Sequence, residues 1–245
     1  MIIGGSAPIH GAPLFSALAA EASGVDLIYV SLPEVHANVA RMTSLNFLVH
    51  PFPGDALSAK HVEPLSEMLA TMDCVVIGPG LARDKNAQTH LKALIESCAC
   101  PMVLDASALQ PWTLKAVKGK KAVLTPHLGE LERMELALED IAEASEEHMQ
   151  VIHVKGAVDK IALPDGTVVD VEGGNAGLTV GGTGDALAGL IAGLIAQKMP
   201  REDACILASK IIKKAGEELA STQGNAYTTR QVIFQIPGLL KDIVL

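Results

Sequence analysis

The residues best suited to chemistry lie in Gly181-Gly-Thr-Gly-Asp185, at the end of the longer stretch from Asn175. Glycines at 181, 182 and 184 let the backbone turn and approach another group closely. The apolar run Ala186 to Ala196 that follows has helical character. The first turn of such a helix carries unpaired N–H donors and the positive end of the peptide dipoles, which suits it to hold phosphate oxygens. Asp185, within that turn, can cap the helix or take a proton from a group attacking the phosphate. The pattern ends in neither Gly-Lys-Ser/Thr nor Gly-x-Gly-x-x-Gly, so any phosphate here is expected to be held without a P-loop lysine. The structural alternative is that Thr183 and Asp185 only cap a buried helix and the glycines only permit tight packing.

Other ligand-capable residues recur just after strand-like runs. Gly78 and Gly80 follow Cys74 to Ile77, and Asp105 closes Pro101 to Leu104. His127 and Glu130 follow Lys121 to Thr125, and Lys155 and Gly156 follow Val151 to Val154. Open α/β sheets bind ligands at the carboxyl ends of their strands, so this coincidence favours a site over scattered structural glycines.

The elements that must position these residues alternate regularly. Ile2-Ile-Gly-Gly-Ser6 reads as a strand entering a turn, and Gly11 to Gly24 as a helix with Pro13 near its start and Gly24 past its end. Strands are expected at Asp26 to Leu32 and Phe47 to His50, and helices at His61 to Thr71, Lys85 to Ser97 and Pro111 to Val117. Pro126 is placed at a helix start with Glu130 in its first turn, and Asp165-Gly166 at the turn of a hairpin between Lys160 and Val171. Arg201 to Ala220 and Thr229 to Val244 complete the helical cover. This order predicts a doubly wound, mostly parallel α/β sheet with helices on both faces, in a single domain over 1–245. A chain that begins in its first strand is expected to have no N-terminal domain.

Composition narrows the function classes. Aromatics are only 3% of 245 residues, so the core must be built from Ala, Leu, Ile and Val, as suits parallel strands between helices. A net charge of −9 argues against a nucleic-acid partner, and an anionic ligand must be bound locally by helix ends, single cations or a metal. Ala186 to Ala196 is far short of the roughly 20 residues needed to cross a bilayer, so no membrane association is expected. Met1-Ile-Ile-Gly-Gly5 lacks the basic region and apolar run of a signal peptide, and four cysteines suit buried free thiols, so the expected location is cytoplasmic. His36, His50, His61, His90, His148 and His153 show no pairing that suggests a metal site, and Glu143-Ala-Ser-Glu-Glu147 reads as a solvated helix face.

Five segments in register resemble one family. Val76-Ile-Gly-Pro-Gly-Leu81, Val103-Leu-Asp-Ala-Ser-Ala-Leu109, Leu124-Thr-Pro-His-Leu-Gly-Glu130, Val154-Lys-Gly156 and Gly174 to Asp185 are similar to the motifs of the ADP-dependent NAD(P)H-hydrate dehydratases, a ribokinase-like branch. The resemblance implies a metabolite-repair lyase. ADP, or in some members ATP, donates a phosphoryl group to the hydroxyl of the S-epimer of hydrated NADH or NADPH, and phosphate then leaves to restore the dinucleotide. It further implies magnesium, a cytoplasmic homotetramer and, in some relatives, a fused epimerase.

By the same resemblance, Asp185 is the catalytic acid–base residue and a substrate contact, joined at the substrate by Gly80, His127 and, in Gly11-Ala-Pro13, Ala12. Lys155, Gly156, Ala157, Val158 and Asp159 match the adenylate-binding segment, which in the family usually ends in Thr rather than Asp. Gly182, Thr183 and Gly184 would supply amides to the transferred phosphate, and Glu130 stands where related kinases hold a magnesium hydration shell. Full-length relatives carry extra residues before the first strand, and many have Pro where this chain has Ala176. Two alternatives remain at this stage: a ribokinase-like kinase of a sugar or vitamin precursor, and a non-catalytic adenylate-binding protein. His127 instead of Asn, and Gly-Gly-Thr-Gly-Asp185 instead of the sugar-kinase loop, favour the dehydratase.

Overall fold

The computed structural model describes residues 1–244, with only the helical backbone described for 242–244. In chain order the elements are β1 (Ile2–Ile3), α1 (Gly11–Ala22), β2 (Ile28–Ser31), α2 (Ala37–Thr43), β3 (Phe47–Val49), α3 (Ala59–Leu69) and β4 (Val75–Ile77). Then follow α4 (Lys85–Ser97), β5 (Met102–Leu104), α5 (Thr113–Ala116), β6 (Ala122–Leu124), α6 (Leu128–Arg133) and α7 (Ile141–His148). The chain continues with β7 (Val151–Val154), β8 (Asp159–Ala162), β9 (Val168–Val171), α8 (Thr183–Ala196), α9 (Arg201–Gln223) and α10 (Thr229–Val244).

These strands form one nine-stranded sheet in the order β3-β2-β1-β4-β5-β6-β7-β8-β9. Every pair from β3 to β7 is parallel, while β7, β8 and β9 run antiparallel through the expected hairpin. The strand order reverses beside β1, which pairs with both β2 and β4. That switch point opens a crevice at the carboxyl edge.

The strands bury both faces because successive side chains alternate. Val76, Val103 and Val123 point to one face with α1, α8, α9 and α10, while Val75, Ile77, Met102 and Leu104 point to the other with α3 and α4. α8 is apolar all round and buried from Ala186 to Ile195. A methyl group on Gly189 would run into the Ser16 carbonyl and one on Gly193 into the Ser23 hydroxyl, so both glycines permit α1 and α8 to touch along their backbones. Packing is therefore one role of these glycines, and it fixes the start of α8 against α1.

Two local expectations need correction. Pro126 lies outside α6, whose cap is His127: its Nδ1 accepts from the Glu130 N–H at 3.3 Å while Glu130 Oε2 accepts from the His127 N–H at 3.0 Å. A helix also occupies 37–43, a stretch to which no element was assigned; it buries Ala37 and Ala40 alone. The acidic run on α7 is solvated as expected, and all four cysteines are free and buried. Among the described residues no helix is long and apolar enough to cross a membrane.

Candidate active site

The carboxyl ends of β1, β4 and β5 and the start of α8 surround a cavity of about 680 Å³. Its lining includes Ala12, Gly80, Arg83, Ala106, Ser107 and Asp185. Ala12 and Gly80, far apart in sequence, touch: a methyl on Gly80 would come within 3.3 Å of the Ala12 side chain. Three of the four expected substrate positions are thus brought together. His127 is not part of that lining; it stands at the end of β6, bridged to Lys155, with its ring largely exposed.

The start of α8 presents an open turn of backbone amides. Gly182 adopts φ +101°, a left-handed conformation that glycine accepts without strain, and a side chain there would strike the Phe15 ring. No side chain caps this helix. Ala186 N–H makes the first helical bond, to Gly182 O at 2.9 Å. Among the described residues no acceptor meets the N–H of Gly182, Gly184 or Asp185. The Thr183 amide is different from expectation: it faces Val180 O at 3.4 Å, and its buried hydroxyl also donates to Val180 O. The open donors are therefore 182, 184 and 185 rather than 182 to 184.

A lysine from outside the loop motif reaches this helix end. Lys155 Nζ lies 3.1 Å from where a Gly184 side chain would begin. It donates to Asp105 Oδ1 at 2.7 Å and stands 3.6 Å from Glu130 Oε2. Burial acts to lower the Lys155 pKa, but Asp105, Glu130 and Asp185 outweigh it and hold the ammonium above its ordinary value. Thr125 Oγ1 fixes Asp105 by donating at 2.8 Å.

Asp185 shows the opposite balance. Burial first, then repulsion from Asp105 and Glu130, push its carboxyl up to about 7, with Lys155 opposing. Its carbonyl, by contrast, accepts from Ser16 Oγ at 2.8 Å, which ties the first turn of α8 to α1. A carboxyl poised near neutrality can accept a proton while the open amides beside it hold an anion.

The segment 155–159 also divides by role. Gly156, Ala157 and Val158 form an exposed tip between β7 and β8. Asp159 does not join them: it is 6% exposed, and its carboxylate accepts from Gly156 N–H at 2.9 Å, His153 Nε2 at 3.0 Å and Ser209 Oγ at 2.6 Å. The Asp159 side chain is thus spent on internal bonds that shape the tip. Glu130 is likewise turned inward, 4% exposed, as a cap and ion-pair partner. Sequence reasoning left Asp105, Arg83 and Lys213 without a role. Asp105 was visible as an acid closing a strand; Arg83, three residues after Gly80, and Lys213, in a lysine-rich helix, carried no such mark.

The fold and this edge site define a ribokinase-like α/β protein. The ADP/ATP-dependent NAD(P)H-hydrate dehydratase of Bacillus subtilis, co-crystallised with ATP and Mg²⁺ and soaked with CoA, has the same fold, with a TM-score of 0.80 at 22% identity over 98% of this chain and 90% of that one. The family model described as NAD(P)H-hydrate dehydratase matches residues 1–238, and the chain belongs to that family. It is 31% identical, over 98% of its length and 88% of the relative's, to the ADP-dependent (S)-NAD(P)H-hydrate dehydratase of Cenarchaeum symbiosum. It is 34% identical to the bifunctional NAD(P)H-hydrate repair enzyme of Pyrobaculum aerophilum over 98% of its length, but spans only 50% of that longer protein.

Proposed function

We propose that this protein uses ADP, or ATP, to dehydrate the S-epimer of hydrated NADH or NADPH. The observation that carries this reading is the raised Asp185 carboxyl, which lines the cavity with Ala12 and Gly80 and belongs to the same helix start as the unpaired amides of Gly182, Gly184 and Asp185. The adenylate lies along Lys155, Gly156, Ala157 and Val158, and its terminal phosphate meets the amides at the start of α8. The hydrated ring lies on Ala12 and Gly80, with His127 at the rim.

Asp185 takes the proton of the ring hydroxyl as the hydroxyl oxygen attacks the terminal phosphorus. The bond from that phosphorus to the bridging oxygen breaks, and AMP leaves when ADP is the donor. The phosphorylated ring then loses a neighbouring proton and expels inorganic phosphate, which forms the C=C bond of the reduced nicotinamide. Lys155 and the open amides hold the charge that gathers on the phosphoryl oxygens. Among the described residues no cluster of three or more His, Cys, Asp or Glu could hold a metal ion. A magnesium ion brought by the nucleotide would offset the phosphate charge during transfer. Glu130, already holding the His127 N–H, is left a water-mediated contact with it.

A cytoplasmic oligomer, by resemblance a tetramer, completes the proposal. Exposed Val39, Met42, Leu45 and Leu48 beside edge strand β3 support self-association. The test is to incubate the protein with hydrated NADH, Mg²⁺ and ADP or ATP, and to follow NADH absorbance and free phosphate together. Both should rise in equal amounts. A stable phosphorylated product without NADH would instead identify a kinase, and adenylate binding without turnover a sensor.

A further inference from the structure

One buried cation takes no part in that chemistry. Lys213 lies midway along α9; its neighbours Lys210 and Lys214 are exposed, but Lys213 is 6% exposed. Its Nζ donates to Ala157 O at 2.9 Å and Gly156 O at 3.2 Å, with Gly173 O at 3.5 Å and Asp159 Oδ1 at 3.5 Å. Four oxygens thus surround one ammonium that has only three N–H bonds. Three are backbone carbonyls aimed at a common point, an arrangement that is repulsive unless a cation fills it.

The oxygens come from two segments that the proposed site needs held together. Gly156 and Ala157 form the tip between β7 and β8, whose other end is Lys155. Gly173 begins the segment that runs through Asn175 to the open amides of α8. α9 fastens that segment twice more, since Glu217 Oε1 accepts from Gly174 N–H at 3.0 Å and Asn175 Nδ2 donates to Gly216 O at 2.7 Å. Asp159 closes the arrangement from below by accepting from Gly156 N–H.

We infer that Lys213 is a resident cation that fixes the tip 156–158 against the segment entering the anion loop, filling a cage that would otherwise need a monovalent cation from solution. It is a positioning residue for the nucleotide. The inference rests on the reading that this tip holds adenylate.

Lys213→Met keeps the stem and removes the charge. In the intact protein it should raise the KM for ADP about tenfold while kcat changes less than about twofold. Ammonium or potassium chloride should restore most of the loss. Tetramethylammonium chloride, too large for the cage, should not, and none of these salts should alter the wild type's KM. An unchanged KM, or a raised KM that no small cation lowers, overturns the inference. Should the methionine variant not fold, Lys213→Arg, whose broad head cannot match the four oxygens, should raise KM several-fold, and an unchanged value overturns it equally. Wild-type protein that binds no ADP would overturn the underlying reading of the tip instead.

Discussion

Two cavities of nearly equal size open at opposite edges of the sheet. The one at the carboxyl ends of the strands holds about 680 Å³, and the one at their amino ends, lined by Asp73, Lys121, Lys198, Arg201 and Glu202 among others, about 630 Å³. In the lower cavity Lys198 is paired with Asp73, and Arg201 with Glu202 at 3.0 Å. Arg201 also donates to Met149 O and Gln150 Oε1. In the upper one the Asp185 carboxyl is pushed up to about 7, at a helix start where the amides of Gly182, Gly184 and Asp185 are open. Size does not separate the two; unsatisfied electrostatics does, because a fold leaves donors and charges unspent mainly where a ligand will use them.

The largest effect should come from Asp185→Asn, which lowers kcat by about a thousandfold or more with little change in ADP affinity, measured by turnover and calorimetry. In the wild type the rate should rise with pH and level off above about 7, where the carboxyl is ionised. The same group costs stability there. Its folded-state pKa is raised, so the folded protein is favoured while the proton stays on, and that advantage is lost as pH rises from the ordinary carboxylate range through about 7. Thermal or denaturant unfolding at pH 8 should find the Asn variant more stable by about 2 kcal/mol, with the gain gone near pH 4.

Next in size is Lys155→Met. It removes the cation at the start of α8 and leaves Asp105 and Glu130 facing each other and Asp185, so kcat/KM should fall about a hundredfold. The smallest effect should come from the lower cavity, where Arg201→Ala should leave kcat/KM within about twofold and lower stability by about 1 kcal/mol. A large catalytic loss from Arg201→Ala would break the contrast between the two cavities.

Much of the upper site was legible because its residues close strands. The runs before Gly78, Asp105, His127 and Lys155 are apolar and bounded by Gly, Pro or charge, which made both the parallel sheet and its ligand edge readable. What stayed hidden depends on contacts between distant segments. Lys155 was expected at the nucleotide, but its pairing with Asp105, fifty residues back in the chain, could not be read from local pattern. Lys213 sits between the exposed Lys210 and Lys214, and nothing in the sequence separates it from them, although α9 turns it into the fold. Helix 37–43 is short and packs through Ala37 and Ala40, while its larger apolar residues Val39 and Met42 face outward, so its buried face carries little hydrophobic signal. The inward turn of the Thr183 amide needed the coordinates of Val180, which sequence spacing does not supply.

The most direct measurement is a crystal structure of the protein with ADP and Mg²⁺. The terminal phosphate should accept from the N–H groups of Gly184 and Asp185, with Lys155 at its side and the adenosine along residues 156–158. Nucleotide found in the lower cavity, or a terminal phosphate that leaves those amides unpaired, would contradict the assignment of the upper edge as the active site.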